Sequence, residues 1–401
     1  MTERPTLPSS ERILLGPGPS IIAPRVMRAM ATPVLSHLDP ELVVLLDDVR
    51  ARLGRLFQAP EGSFAFAVSG TGSSGMETTI ANLVTDGTRV LVIVTGYFGE
   101  RLAEICRRYG AGVARVDVEW GRAVDPHAVR SALSVASDPF DIVACVHAET
   151  STGVLNPIQE IAALAHEHGA LMLVDAVTSF GGHPLDVEGW GLDAVYSCTQ
   201  KCIGAPSGMS PVAWTPQAQA RKVPCRSFYL DLALLEDYWV RRKYHHTLSS
   251  TMIYALHEAL IAIEEEGLQN RWRRHQQHHL ALAHGLDALG LQLLPPPSER
   301  LWTLNAVRVP ADVDEAAVRR ALLSEFSMEI GAGLGPLAGK IWRVGLMGSS
   351  STPSLVLLFL GALEHALRGA GYRCAAGAGV AAATEILSGS AETSTAAAVR
   401  R

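Results

Sequence analysis

Lysine is scarce in this chain: its 401 residues include only Lys201, Lys222, Lys243 and Lys340. Nearly all the basic charge is therefore arginine, and the formal net charge is −6. That balance excludes a general nucleic-acid binder or a protein held on anionic membranes, both of which need a basic excess. Long hydrophobic runs are missing too, and none reaches the roughly 18 apolar residues of a membrane span. Residues 1–11 are polar and carry no signal-peptide core. The six cysteines are scattered, and only Cys198 and Cys202 lie close together. Their spacing is not C-x-x-C and no second pair accompanies them, so reduced thiols are expected rather than disulfides or zinc. These absences predict a soluble, cytoplasmic protein.

What is present is a large apolar fraction, 48% against 18% charged residues, enough to bury a substantial core. Length alone suggests two to three domains at about 150 residues each. In the first half, strand-like apolar runs at 89–94, 141–147, 170–176 and 194–198 alternate with helical patterns at 74–85, 99–109 and 158–168. Buried strands alternating with helices predict a mainly parallel α/β sheet. Long helices are expected over 247–266 and 272–289. From about 291 the pattern changes to a smaller α+β unit, with strands at 303–309 and 340–346 and helices at 314–326 and 354–369. The tail from 374 to 401 is rich in Ala, Gly, Ser and Thr. With few large apolar groups, it is expected to be disordered.

Three segments carry chemistry. Ser69-Gly70-Thr71-Gly72-Ser73-Ser74-Gly75 follows the apolar run 64–68 and opens a helix. Small residues let the backbone approach an anion, and a helix start offers free N–H groups. Alone, the segment fits either a phosphate cup or an ordinary Gly/Ser turn; it matches neither G-x-x-x-x-G-K-[ST] nor a clean dinucleotide fingerprint. Asp175 ends a strongly apolar strand, where carboxylates line the ligand crevice of open α/β sheets. It could equally cap a turn. Lys201 follows the next strand among small and apolar residues, with no carboxylate near in sequence, a setting that can free its amine for Schiff-base chemistry. A surface lysine is the plain alternative. Taken together, an anion cup, a strand-end carboxylate and a lysine one strand later suit the phosphate, the pyridinium and the aldehyde of pyridoxal 5′-phosphate (PLP).

At this point the sequence resembles a known family. Leu15-Gly16-Pro17-Gly18-Pro19, Val68-Ser69-Gly70-Thr71-Gly72, Glu149-Thr150-Ser151-Thr152-Gly153, Leu173-Val174-Asp175 and Gln200-Lys201 stand in order. Ser227-Phe228-Tyr229-Leu230-Asp231, Tyr244-His245-His246-Thr247, Leu334-Gly335-Pro336 and Gly339-Lys340-Ile341-Trp342-Arg343-Val344-Gly345 continue the series. The chain is similar to the class V, fold-type I PLP aminotransferases of the alanine–glyoxylate, serine–glyoxylate and ureidoglycine–glyoxylate group. The resemblance implies an N-terminal arm (1–21), a large PLP-binding domain (22–265) with a mainly parallel seven-stranded sheet, and a small α+β C-terminal domain (266–373). It also implies a homodimer with shared active sites.

Roles follow from the resemblance residue by residue. Lys201 would bind the cofactor aldehyde, and Asp175 the ring nitrogen. Thr71, Gly72, Ser73 and Gln200 would hold the phosphate. Phe98 would stack on the ring, Val177 would pack beneath it, and Thr150 would contact its side. Tyr244 and Thr247 would reach the neighbouring subunit's phosphate. Arg343 would grip the substrate carboxylate, with the Gly18 turn closing over it. Phe98, Lys201-Cys202 and Pro206-Ser207-Gly208 resemble the ureidoglycine branch, whereas Tyr244 stands where that branch carries Asn. The expected reaction is transamination between a small L-amino acid, of alanine or serine type, and glyoxylate or a similar 2-oxo acid. The alternatives are a ureidoglycine donor, a specialised biosynthetic substrate, or a PLP lyase or decarboxylase. His245 and His246 have no third ligand at helical spacing, so no metal is expected.

Overall fold

The computed structural model describes residues 11–398. Its centre is a seven-stranded sheet with the strand order Phe64–Gly70, Gly208–Trp214, Ala194–Tyr196, Leu171–Asp175, Ile142–Val146, Arg89–Val94, Gly112–Asp117. Only Gly208–Trp214 runs antiparallel to its neighbours. This is the mainly parallel α/β sheet expected from the sequence. The inner strands read as continuous apolar runs because helices cover both faces; every residue of Ile142–Val146 and Leu171–Asp175 is buried. Parallel order places the carboxyl ends of these strands along one edge, so the segments after Gly70, Val94, Val146, Asp175 and Tyr196 converge there.

A second hydrophobic core is built from residues near both ends of the chain. Leu304–Arg308, Ile341–Gly345 and Gly331–Ala332 form a three-stranded antiparallel sheet. Helices Leu268–Ala288, Glu315–Phe326 and Pro353–Gly369 supply apolar faces to its core. The N-terminal arm joins this unit: Ile13–Leu14 pairs with Met328–Glu329, and Leu15 is fully buried in the same core. Among the described residues no helix is long and apolar enough to cross a membrane.

The tail departs from expectation. Ala378–Ala398 is a helix rather than a disordered segment. Ala383 is fully buried, and Val380, Ile386 and Leu387 pack on the second core. Alanine is the best helix former, and positions 380, 383, 386 and 387 recur at helical spacing, so one narrow apolar stripe suffices. Small residues also allow close approach: a Cβ on Gly379 would lie 2.9 Å from Leu289. Deleting the chain from Ala378 onward should therefore lower stability by roughly 2–4 kcal/mol, the value of two or three partly buried aliphatic side chains. Denaturant melts of the two proteins measure this; identical midpoints would mean that the helix does not dock.

Candidate active site

The residues singled out in the sequence meet at the carboxyl edge of the large sheet. They line a cavity of about 250 Å³ whose walls include Gly18, Thr71, Gly72, Ser73, Phe98, Asp175, Val177, Gln200 and Lys201.

One wall is a helix start. Gly70 turns the chain at φ +127°, where a Cβ would lie 2.6 Å from Ser74 Oγ, and Thr71 stands at the N-cap position of the helix Gly72–Ala81 without a side-chain capping bond. The first N–H groups of a helix have no partner within it, so those of Gly72 and Ser73 remain available at the cavity wall. The cup is packed from below by Val177, whose Cγ2 would be 2.7 Å from a Cβ on Gly72.

Asp175 ends its strand inside the protein. Oδ1 accepts from the Val177 N–H at 2.8 Å and Oδ2 from the Tyr196 hydroxyl at 3.0 Å. Burial nevertheless pushes its pKa up to about 7, because those two donors only partly offset desolvation. The carboxylate is poised for a cation. Lys201 lies in a tight turn, Thr199–Ile203, and departs from helical geometry at φ −108°, ψ −124°. Its Nζ donates to the Pro17 carbonyl. Burial is the main cause that lowers its pKa, and the Arg343 charge adds to the effect. The other three lysines differ: Lys222 and Lys243 pair with Glu236 and Asp237, and Lys340 is exposed.

The N-terminal arm closes the cavity over Lys201. Gly18 has φ +111°, and a Cβ there would sit 2.7 Å from the lysine side chain. Ser20 ties the arm down, bonding the Gln200 carbonyl at 2.9 Å and the Lys201 carbonyl at 2.8 Å. Arg343 approaches from the three-stranded sheet. It is buried in the strand Ile341–Gly345, and its Nε and Nη1 donate to the carbonyls of Ala332 and Thr150 at 2.7 and 3.3 Å. Burial lowers its pKa to about 10, opposed by Glu149.

Besides Arg343, three expected residues lie off the cavity wall. The Thr150 hydroxyl bonds Thr178 Oγ1 at 2.5 Å, away from the cavity wall. Tyr244 and Thr247 are solvent-exposed and do not line this chain's cavity. Four contributors escaped the sequence reading. Arg101 lines the cavity, Tyr196 holds Asp175, and Pro17 receives Lys201. Glu149 is buried and accepts from the N–H groups of Phe98 and Gly99 at 3.4 and 3.2 Å, fixing the turn that carries Phe98. Only Pro17 and Glu149 stood within motifs, and nothing in those motifs revealed their contacts. The neighbouring thiols are inert, since burial pushes Cys198 up to about 12 and Cys202 up to about 11.

PLP fits this donor set. The helix start suits a phosphate, the desolvated Asp175 a pyridinium proton, and the buried Lys201 amine an aldehyde. Gln200 lines the same cavity, and its side-chain NH₂ can donate to a phosphate.

Comparisons with known proteins agree. The (S)-ureidoglycine–glyoxylate transaminase of Bacillus subtilis is 38% identical over 92% of this chain and 93% of its own. The alanine–glyoxylate aminotransferase of Drosophila melanogaster is 35% identical over 89% and 92%. The crystal structure of an alanine–glyoxylate aminotransferase from Nostoc sp. superposes with a TM-score of 0.87 at 44% identity, covering 91% of this chain and 98% of that one. The family model "Aminotransferase class-V" matches residues 16–336. With its cavity, its lysine and its relatives in agreement, the chain belongs to the aminotransferase class-V family of PLP enzymes.

Proposed function

We propose that the chain transfers an amino group from a small L-amino acid, alanine or serine in type, to glyoxylate or a similar 2-oxo acid. The observation that carries this reading is one cavity lined by the buried amine of Lys201, the buried carboxylate of Asp175 and a helix start.

PLP supplies an aldehyde that condenses with amines and a ring that withdraws electron density from the substrate Cα. The protein does the rest. Burial keeps the Lys201 Nζ unprotonated at lower pH than an exposed lysine, so the amine can attack a carbonyl. Once freed, the same atom takes the proton from the substrate Cα and later returns one to the acceptor. Asp175 holds the proton on the ring nitrogen. Arg343 is buried with Nε and Nη1 on backbone carbonyls and without a carboxylate within salt-bridge distance among the described residues, so its charge lacks an anion that a substrate carboxylate can supply. The Pro17–Gly18 turn excludes water above Lys201. Donor and acceptor use one site in turn, which gives ping-pong kinetics.

The amino donor has a second candidate. Phe98, Lys201-Cys202 and Pro206-Ser207-Gly208 resemble the ureidoglycine branch, which favours (S)-ureidoglycine as an alternative. A cysteine desulfurase is disfavoured because desulfurases of this fold carry histidine at the position before the lysine, where this chain has Gln200. A panel of donors against acceptors on the purified enzyme decides. Alanine or serine with glyoxylate should give the highest kcat/KM; turnover confined to ureidoglycine, or to neither acceptor class, would overturn the reading.

The proposal extends to a homodimer with shared sites. Phe228 and Tyr244 are 72% and 62% exposed, unusual for large aromatic groups outside an interface. Tyr244 and Thr247 would complete the neighbour's phosphate site, and a fully active monomer would rule this out. Unpaired thiols fit a reducing, cytoplasmic setting.

Arg343→Lys should raise KM for donor and acceptor alike by about 10- to 100-fold, since charge remains but the two parallel donors are lost. The absorbance of the bound cofactor should not move. Unchanged KM values would make Arg343 a structural residue.

A further inference from the structure

We infer that Arg101 is the cation of the phosphate cup, a role that rests on the PLP reading above. A phosphate monoester carries nearly two negative charges at neutral pH. The groups assigned to it so far are neutral: the N–H groups of Gly72 and Ser73, the hydroxyls of Thr71 and Ser73, the Gln200 amide, and Tyr244 and Thr247 from a neighbouring copy. A helix start adds only about half a positive charge. Of the two cations lining the cavity, Lys201 is committed to the aldehyde, which leaves Arg101.

Its surroundings single it out. Arg101 lies on the helix Tyr97–Arg108, one turn after Phe98. Its guanidinium sits 5.0 Å from the centre of the Phe98 ring and 5.4 Å from that of Tyr97. Nη1 donates to Ser73 Oγ at 3.0 Å, inside the cup. No carboxylate of the described residues lies within salt-bridge distance of it. Other charges nearby are matched: Arg107 and Arg108 pair with Glu104, and Glu100 turns away to Arg115. A half-buried arginine resting over two aromatic rings and bonded to a serine, with no anion of its own, is a charge held ready for a ligand's anion.

The arrangement gives Arg101 two possible effects, on the phosphate and on the Phe98 ring, and they can be separated. Apoenzyme of the parent, Arg101→Met and Arg101→Lys is titrated with PLP, with pyridoxal, which lacks the phosphate, and with inorganic phosphate. Binding is followed by cofactor absorbance for the first two and by calorimetry for the last. Arg101→Met should weaken PLP about 10- to 100-fold, the value of a charge-assisted contact, and abolish inorganic phosphate binding, while pyridoxal is held as by the parent. Arg101→Lys should fall between. Equal losses for PLP and pyridoxal would overturn the assignment and leave Arg101 as a support for Phe98; unchanged PLP affinity would overturn it outright. A parent that takes up no PLP would instead sink the aminotransferase reading, and the phosphate titrations would still decide the role of Arg101.

Discussion

Lys201→Ala should lower the turnover of both half-reactions by about 10⁴-fold or more, because it removes the amine that condenses with the cofactor and the base that moves the Cα proton. The fold should survive. The lysine side chain is buried with its charge poorly solvated, and its hydrogen-bond partner is the Pro17 carbonyl, which the arm can leave to water. Borohydride treatment of the parent holoenzyme followed by peptide mapping should mark Lys201, and the variant should carry no mark. The alternatives are weak on geometry: Lys222 lies 3.7 Å from Glu236 and Lys243 lies 3.2 Å from Asp237, both at the surface. A mark on either, or on Lys340, together with retained activity in Lys201→Ala would remove the basis of the site.

Asp175→Asn should give the second largest effect, with an opposite sign for stability and for activity. Asparagine can keep both hydrogen bonds: its oxygen accepts from the Val177 N–H, and its NH₂ can donate to the Tyr196 oxygen once that hydroxyl rotates. The variant should therefore fold. Losing the anion beneath the ring nitrogen should cost about 10²- to 10³-fold in turnover, the usual effect of removing one preorganised electrostatic partner. Stability responds through linkage. In the protein without cofactor the Asp175 pKa is raised to about 7, above its unfolded value, so the folded state holds the proton more tightly. Its favourable contribution is complete below about pH 4 and is lost as pH rises through about 7, at about 1.4 kcal/mol per pH unit between those limits. Cofactor-free Asp175→Asn should thus melt higher than the cofactor-free parent at pH 8, and the two should converge toward pH 4. Bound cofactor should cancel the parent's deficit. Equal melting temperatures at pH 8 would mean that Asp175 is not desolvated as described.

Much of this site was legible because its parts are local. The strand Leu171–Asp175 announces itself as an unbroken apolar run ended by a carboxylate, and the segment Ser69 to Gly75 as a helix start. Lys201 stood out through scarcity. The strand before it is shorter than expected, Ala194–Tyr196: Ser197 keeps one backbone bond, to the Pro211 carbonyl, and Cys198 already stands at the N-cap of the lysine turn. What stayed hidden depends on distance along the chain. Arg101 reads as an ordinary solvated helix residue until the fold sets it 3.0 Å from Ser73. Glu149 gains its role only when it meets the Gly99 N–H, 50 residues away. The tail was misjudged on composition: a search for large apolar groups overlooks a stripe made of Val380, Ala383, Ile386 and Leu387, which needs only a narrow groove.

The central claim is that one amino group moves from donor to cofactor to acceptor at Lys201. It is tested most directly by adding L-alanine alone to the PLP-loaded enzyme and recording its visible absorbance. The account predicts that the band bleaches with stoichiometric release of pyruvate, and that glyoxylate added afterwards restores it with formation of glycine. No bleaching by any small L-amino acid, or bleaching accompanied by release of ammonia or carbon dioxide in place of the 2-oxo acid, would contradict it.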